Sequence, residues 1–314
     1  MKNGWQYVQT NGTSEKMAPW TLIDYVKMNE DEDAVSLKDA MPSNPNLLIN
    51  GDFQVWQRGI SFTGPGYTAD RWRVQWAVPS VSKINGGMRI QFADEWRLLS
   101  QEIEVFLPAG MKITLSTELK SSVPRPFVMY ISVNGTVVAD YLNINATTAY
   151  VRYSKTITVP TDATSVKVRL ENPTTMTSDL DIRYIKAELG SVATPLVPRP
   201  YAEELAMCQR YYETNLGNAY PQHLGSAIGT PTTGILAGGL MWKVKKRAVP
   251  TVKIFDTLAS TPNTCTRDNT GTMDYTGQSS LTYGITPDGC LVLSMSGANA
   301  TSIKCYYAAD AEIY

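Results

Sequence analysis

Apolar and polar residues alternate with a period of two over much of this 314-residue chain, and Asn-Gly pairs interrupt the alternation. In the stretch FVMYISV (Phe127–Val133), every second residue is large and apolar, and Asn134-Gly135 follow. Both of these residues tolerate a positive φ, so the pair predicts a two-residue hairpin turn, with the return strand running through Val137, Ala139 and Tyr141. The same arrangement recurs at Asn85-Gly86. This pattern is typical of antiparallel β-strands.

Similar runs predict two sets of strands along the chain. The first set includes Gln101–Leu107, Lys112–Leu119, Lys155–Val159, Ser165–Glu171 and Asp181–Leu189. The second set includes Thr233–Val244, Pro250–Asp256, Cys290–Ser296 and Ser302–Ala308. No repeat of fixed period is visible, which disfavours a β-helix or a propeller. The sequence therefore predicts an all-β fold, in which a jelly-roll β-sandwich is followed by a short helix and a second, smaller C-terminal β-sandwich.

One segment, PRPYAEELAMCQRYYET (Pro198–Thr214), has the spacing of a helix instead of a strand. An apolar stripe recurs there at intervals of four, three and four residues, formed by Tyr201, Leu205, Cys208 and Tyr212. The pattern predicts a helical connector over residues 201–216. Its stripe must pack either on the chain's own jelly roll or on the same helix in neighbouring subunits, and the sequence leaves both open.

The first 45 residues form a separate segment, which contains the acidic cluster NEDED (Asn29–Asp33) and ends at the break PSNP (Pro42–Pro45). A short helix is predicted within Trp20–Glu30. The segment is either a peripheral extension that packs on its own domain or a docking segment for a larger assembly. The predicted boundaries are 1–45 for this segment, 46–200 for the jelly roll, 201–216 for the connector and 217–314 for the C-terminal β domain.

Composition and charge exclude several functional classes. The formal net charge is −1, so the chain has no electrostatic reason to bind nucleic acid or an anionic membrane. The N-terminus lacks the apolar core of a signal peptide, and no apolar run reaches the ~18 residues of a transmembrane helix. We therefore expect synthesis in the cytoplasm and no membrane insertion. The four cysteines lack metal-site spacing and are expected to be buried, small apolar residues without a cofactor.

Catalytic motifs are mostly missing. His223 is the only histidine, and it is expected to lie in a loop. A glycosidase needs two carboxylates placed across a sugar, and the pairs Asp94 with Glu95 and Asp179 with Asp181 are better explained as strand ends and turns. The sequence therefore predicts a protein that is not an enzyme.

Aromatic residues make binding the better prospect, because exposed rings stack on the faces of sugars. Trp56 and Trp72 lie among regular apolar positions and are expected in the core. Five other aromatics lie near predicted strand ends or in predicted loops and are candidate ligand-binding residues: Trp76, Trp96, Tyr220, Tyr275 and Tyr283.

Three stretches together resemble a known family. NPNLLINGDFQVWQRG (Asn44–Gly59) with YTADRW (Tyr67–Trp72) resembles the opening of a domain of bacteriophage tail-fibre and receptor-binding proteins. AELGSVATPLVPRPYAEELAMCQRYYE (Ala187–Glu213) resembles the segment that closes that domain, and KRAVPT within Met241–Asp256 is similar to a strand of the C-terminal domain in the same proteins. The resemblance implies a virion protein, usually a homotrimer, with a jelly roll of carbohydrate-binding type near the host-binding end.

In related sugar-binding jelly rolls, a calcium ion can lie where the first and last strands meet. The resemblance implies Asp52 and Glu188 as its candidate ligands here, although Gln54 stands where those proteins carry a glutamate. The chain also lacks the heptads or Gly-X-Y repeats of a fibre shaft. It would then be a tip, a short fibre or a decoration protein, attached to other virion proteins by its first 45 residues.

Three functional hypotheses follow. The first is a phage fibre or receptor-binding protein of the virion that recognises a host surface ligand, such as a glycan, without catalysis. The alternative is a head-fibre or capsid decoration protein with a mainly structural role. The third hypothesis is a polysaccharide-degrading enzyme, which the missing catalytic motifs disfavour.

Overall fold

The computed structural model describes residues 7–10, 13–16, 43–76, 78–93, 96–228, 235–257, 262–269, 274–295 and 300–312. The chain divides into two compact units, one of Met1–Pro45 with Thr194–Val197 and the other of Asn46–Ala193 with Pro198–Tyr314. In the first unit, β1 (Tyr7–Thr10) and β2 (Thr13–Lys16) pair as an antiparallel hairpin. The predicted helix within Trp20–Glu30 lies outside the described residues.

The second unit begins with a jelly roll. Its strands are β3 (Ser61–Phe62), β4 (Gly66–Tyr67), β5 (Arg73–Val74), β6 (Ser80–Ile84), β7 (Gly87–Phe92), β8 (Arg97–Ile103), β9 (Lys112–Ser121), β10 (Arg125–Val133), β11 (Thr136–Val137), β12 (Leu142–Ala146), β13 (Val151–Thr158), β14 (Val166–Asn172) and β15 (Ser178–Leu189). The predicted all-β sandwich is confirmed. The strand predicted over Gln101–Leu107 was wrong in position, because β8 ends at Ile103 and Leu107 forms only an isolated bridge with Ala163.

Two sheets form the layers of this sandwich. The front sheet has the order β11-β10-β14-β8-β5-β4, with β12 also paired to β10, and the back sheet has the order β13-β9-β15-β7-β6-β3. Alternate residues of each strand, such as Val166, Val168 and Leu170 of β14, turn inward into one apolar core. Phe92 of the back sheet and Phe127 of the front sheet meet there, with ring centroids 5.7 Å apart.

The predicted hairpin at Asn134-Gly135 is confirmed, since both residues have positive φ, 47° and 84°, and β10 pairs with β11. The predicted return strand through Ala139 and Tyr141 is wrong, because pairing stops at Val137. The chain turns where the Asp140 amide donates to the Val138 carbonyl, and pairing with β10 resumes at β12. This interruption leaves the Tyr141 side chain at the edge of the front sheet.

The helix α1 (Tyr201–Gln209) is shorter than the predicted connector. Residues Tyr212–Thr214 form strand β16 instead, because their backbone pairs with the end of the chain at Ala308–Asp310. Glu204, Cys208 and Gln209 are the buried residues of the helix.

Within the described residues, the C-terminal domain contains eight strands. They are β16, β17 (Gln222–Ile228), β18 (Ile235–Met241), β19 (Thr251–Phe255), β20 (Thr264–Asn269), β21 (Asp274–Thr286), β22 (Gly289–Met295) and β23 (Ala300–Asp310). Their order is β16-β23-β17-β18-β22-β21-β20, and β20 pairs back to β23, so that the ladder closes on itself. We call this domain the C-terminal barrel. A closed ladder leaves no open edge between its first and last strands.

Three smaller predictions are settled by the side chains. All four cysteines are buried thiols, as expected. Trp72 is buried in the jelly-roll core and Trp56 packs against it, also as expected. His223 lies in strand β17 with an exposed side chain, so its placement in a loop was wrong.

Within the described part of the chain, no helix has the length and apolar character needed to cross a membrane.

Candidate functional site

One row of side chains crosses the outer surface of the front sheet, which we call the front face. The row consists of Tyr141, Tyr130, Arg169, Ser100 and Arg73, and we call it the transverse row. Strand register places Tyr130 opposite Arg169, Arg169 opposite Ser100, and Ser100 opposite Arg73. The ring of Tyr141 meets that of Tyr130 edge to face, with centroids 5.3 Å apart.

Strand alternation explains why these residues face outward. In β14, Val168 and Leu170 enter the core, so Arg169 between them must lie on the opposite surface. In β10, Met129 and Ile131 are core residues and Tyr130 lies between them. The apolar alternation that builds the core therefore also builds the transverse row.

Tyr130 is held as a hydrogen-bond donor within this row. Its hydroxyl donates to Glu171 Oε2 at 2.5 Å, and its side chain is almost fully buried. Burial, together with the hydrogen bond to Glu171, raises the pKa of Tyr130 to about 12. Tyr141 is 39% exposed and offers part of its ring to solvent. The partly exposed ring of Tyr141 thus packs on the buried ring of Tyr130, which is held by its hydrogen bond to Glu171.

The two arginines of the row carry charge that the described residues do not neutralise. Neither Arg73 nor Arg169 forms an ion pair within the described ranges, whereas Lys167 on the same face lies 3.2 Å from Glu102. The Nε donor of Arg169 is also buried without a hydrogen-bond acceptor. Such a donor usually has a partner, so this one requires an explanation.

A groove with a volume of 390 Å³ adjoins the row. Glu102, two residues beyond Ser100 on the same strand and face, is part of its wall. The groove is lined by Glu102, Ile103, Glu104, Val105, Phe106, Thr164 and Arg247. It extends the front face toward the C-terminal barrel, from which Arg247 comes.

Two predicted ligand residues lie at the other end of the same sheet. Trp76 follows β5, where the Gln75 amide still donates to the Leu98 carbonyl of β8, and Trp96 immediately precedes β8. Their side chains are 44% and 57% exposed. Trp96 has a φ of 61°, a backbone region that bulky residues rarely occupy. Both stay candidate ligand residues, and the strand pairing brings them to one end of the front sheet.

The other predicted ligand residues belong to the C-terminal domain and not to the front face. Tyr220 lies in the loop before β17 and is 81% exposed. Tyr283 lies in β21 instead of a loop, and it is also exposed. Tyr275 falls within β21, and its side chain lies outside the described part. A binding role for these three residues stays a prediction.

The candidate calcium ligands do not fit a metal site. Glu188 is fully buried and pairs with the Lys186 ammonium at 3.1 Å, so a cation already occupies its position. Asp52 accepts a hydrogen bond from Gln54, and the carboxylate that raises its pKa, after burial, is Glu204 and not Glu188. Among the described residues, no group of three or more metal-ligating side chains converges.

The helix α1 is anchored to the opening segment of the jelly roll. The Asn50 amide donates to Glu204 Oε1 at 2.5 Å, and Arg199 donates to the same carboxylate at 3.0 Å and to the Leu48 carbonyl. The Asn50 side chain in turn ties the backbone at Val55 to that at Asp70. These residues belong to the stretches that carry the family resemblance, and their observed role is to fasten the helix to the jelly roll.

The predicted helix stripe is divided by this arrangement. Cys208 and Tyr212 are buried within the chain itself, Leu205 is half-buried, and Tyr201 is 55% exposed. A contact between subunits through Tyr201 and Leu205 stays a prediction.

A buried group of charges links the jelly roll to the C-terminal barrel. We call Arg58, Asp70, Arg71 and Glu312 the junction cluster. Arg71 forms an ion pair with Glu312 in which both side chains are almost fully buried, and Arg58 lies 3.3 Å from Glu312 and 3.2 Å from Asp70. Burial raises the pKa of Asp70 to about 6, although Arg58 acts against this. This pairing could not be predicted from local sequence patterns, because 241 residues separate Arg71 from Glu312.

A second buried ion pair, between Lys246 and Glu213, lies where helix α1 meets the C-terminal barrel. The Lys246 ammonium lies 2.6 Å from Glu213 Oε2, and both side chains are fully buried. Tyr307 donates to the other oxygen of Glu213 at 2.6 Å, and Lys246 also donates to the Gln209 carbonyl at the end of α1. The Glu213 carboxylate of β16 thus contacts β23 through Tyr307, and it is linked to the end of the helix through Lys246.

The carboxylates considered for catalysis have structural partners where they are described. Asp181 accepts two hydrogen bonds from Arg89, and Asp179 accepts one from Gln91. Asp94 and Glu95 lie outside the described residues.

The transverse row was not predicted from the sequence, although the alternation in Phe127–Val133 placed Tyr130 on the outer surface and could have indicated it.

The chain matches no protein-family model and no curated protein. Among solved structures it is similar to a carbohydrate-binding module described as "CBM4 structure and function", with 21% identity over 45% of this chain and 98% of that one and a TM-score of 0.34. It is also similar to TmCBM61 in complex with β-1,4-galactotriose, with 13% identity over 46% of this chain and 99% of that one and a TM-score of 0.30. The enzymatically active domain of bacteriophage CBA120 tailspike protein 4 matches with 16% identity over 46% of this chain and 21% of that one, at a TM-score of 0.31. The fold assignment rests on the strand pairing described above.

Proposed function

We propose that the chain is a glycan-binding protein without catalytic activity and that the front face is its ligand surface. The transverse row carries this proposal. It combines the accessible ring of Tyr141, supported by the buried ring of Tyr130, with two arginine donors in one line across the strands. A sugar offers an apolar face for stacking and a rim of hydroxyl oxygens for hydrogen bonds, and the row matches both features.

The proposed setting is a phage virion, as part of a fibre or receptor-binding protein that attaches to a host surface glycan. Its support is the resemblance of Asn44–Gly59, Tyr67–Trp72 and Ala187–Glu213 to proteins of that type. In this proposal, the segment of residues 1–45 contacts other virion proteins. Localisation in purified virions by antibody-labelled electron microscopy tests the setting, and a chain absent from virions would contradict it.

The first prediction concerns Tyr141. Replacing it with alanine should weaken glycan binding by about tenfold, because it removes the exposed ring that stacks on the sugar. The ligand is found first on an array of bacterial surface polysaccharides, and its affinity is then measured by titration calorimetry. The Tyr141→Phe variant keeps the ring and should bind nearly as the parent does. Tyr201→Ala is the matched control, because it removes an exposed tyrosine of helix α1 that is not a candidate ligand residue. Equal affinities for Tyr141→Ala and the parent would show that the front face is not the site.

We also propose that the chain associates as a homotrimer through the outer face of the C-terminal barrel. Register places Leu281 beside Leu293, and Tyr283 beside Leu291, which in turn lies beside Gly239 of β18. Leu281 is 72% exposed and Tyr283 is 66% exposed. Neighbouring exposed apolar side chains of this kind often mark a protein–protein contact. Because these positions carry no charge, identical copies can meet there without electrostatic repulsion.

The second prediction tests this face. Light scattering on the purified full chain should give the mass of three subunits, and Leu281→Asp should lower it to that of one subunit, because the substitution places a charge inside the contact. The control is Val137→Asp, which adds the same charge at an exposed apolar position of the front-sheet hairpin. A parent chain that is already monomeric at micromolar concentration would contradict the proposal.

A further inference from the structure

The two arginines of the transverse row identify the chemical class of the ligand. Arg73 and Arg169 both lie opposite Ser100, on the strands that flank β8 on either side. Neighbouring strands are about 4.8 Å apart, so the two arginine backbones are separated by about 10 Å across the face. That distance is of the order of one or two sugar rings along a chain.

The charge balance on this face favours an anion. Lys167 is neutralised by Glu102 at 3.2 Å, and Glu171 accepts the Tyr130 hydroxyl. Arg73 and Arg169 form no ion pair with any residue in the described ranges, and both side chains are only partly exposed. An arginine near a surface normally has a carboxylate or water partner, and the planar guanidinium suits a carboxylate or sulfate through two parallel hydrogen bonds.

The guanidinium of Arg169 is held in place on the front face. Nε has no acceptor and is shielded from solvent, so a ligand on the front face would reach the terminal nitrogens of this partly exposed side chain and not Nε. Arg169 lies over the ring of Tyr130, with its central carbon 6.0 Å from the ring centroid, which limits the orientations of the guanidinium. A ligand with an acidic oxygen would complete the contacts of a group that is already positioned.

We propose that the front face binds an acidic glycan, one that bears carboxylate or sulfate groups, and that Arg73 and Arg169 select it. This inference rests on the proposed glycan-binding function. The selection requires the charge of both guanidinium groups, whereas the partly exposed ring of Tyr141 would contact the sugar rings of acidic and neutral glycans alike.

Matched ligand pairs separate this inference from the function on which it rests. The full chain is titrated with oligogalacturonate and with its methyl ester, and with dextran sulfate and unsulfated dextran of the same length. We expect the acidic member of at least one pair to bind about tenfold more tightly, with an affinity that falls as salt concentration rises. Arg169→Gln and Arg73→Gln should each remove this preference, while Arg169→Lys should keep part of it because the charge remains.

Lys245→Gln is the control for net charge, because Lys245 is an exposed cation of the C-terminal domain, paired with Asp288. It should leave the preference unchanged. Equal binding of the acidic and neutral members would overturn the acidic-glycan inference and leave the glycan-binding function standing. Loss of preference in Lys245→Gln to the same degree as in Arg169→Gln would also overturn it, since net charge and not the front face would then be responsible. If no member of either pair and no glycan of the array binds, both the inference and the proposed function fail.

Discussion

Replacing Glu213 with alanine is expected to lower the free energy of unfolding by about 3–5 kcal/mol, because the change leaves a buried ammonium without its counter-ion. Lys246 is fully buried at 2.6 Å from Glu213 and would keep only its carbonyl acceptors. Tyr307 would lose the acceptor of its hydroxyl as well. Denaturant unfolding followed by tryptophan fluorescence measures the loss, and Trp242 reports on this region because it lies 5.7 Å from the Tyr307 ring.

The neighbouring lysine provides the control. Lys245 pairs with Asp288 at 3.3 Å, but both side chains are largely exposed, so Asp288→Ala should change stability by less than about 1 kcal/mol. Glu213→Met combined with Lys246→Met should recover most of the loss, since removing both charges leaves none uncompensated. A loss in Glu213→Ala no larger than that in Asp288→Ala would contradict the structural role of this pair.

The pH dependence of the Glu213→Ala variant follows from the same pair. Burial lowers the pKa of Lys246, and Glu213 acts against this. Without Glu213 the pKa should fall further below that of the unfolded chain. Between those two pKa values the unfolded state binds more protons than the folded state, so the stability of the variant should rise with pH across that range.

The features of the fold that could be predicted are those that depend on residues close to one another in the sequence. The hairpin at Asn134-Gly135 was predicted correctly because a turn depends on two adjacent residues. The inward positions of β10 were correct because alternation is also local. The helix was placed correctly, but the predicted helix extended too far. Tyr212–Thr214 pairs with strand residues almost 100 positions later, and a local sequence pattern contains no information about such a distant partner.

The same limit explains the candidate site. Trp76 and Trp96 were chosen as aromatics near strand ends, and strand pairing does bring them to one end of the front sheet. Arg73, Ser100 and Arg169 look unremarkable in sequence, since they become neighbours only through the order β14-β8-β5. The stretches that carry the family resemblance contain residues that hold the parts of the chain together. Among them, Asn50, Asp70 and Arg71 serve the attachment of the helix and the barrel to the jelly roll.

Replacing Glu312 with alanine is expected to loosen the attachment of the C-terminal barrel to the jelly roll and to lower the free energy of unfolding by about 3 kcal/mol. Arg71 is almost fully buried against Glu312 and under the Tyr211 ring, with its guanidinium carbon 3.5 Å from the ring centroid. Arg58 would lose the same carboxylate but keep Asp70. The uncompensated Arg71 charge is the main cost, because a buried cation without an anion is poorly solvated.

Calorimetry distinguishes a weakened junction from a general loss of stability. If the junction cluster couples the two β domains, the single transition expected of the parent should separate into two in Glu312→Ala, and Arg71→Met with Glu312→Met should restore one transition. The control is Glu118→Ala, which breaks an exposed ion pair with Arg183 in the jelly roll and should shift stability by less than about 1 kcal/mol. A single transition in Glu312→Ala, at an unchanged temperature, would show that the two domains are held together by other contacts, such as those that Arg210 and Arg247 make with Glu104.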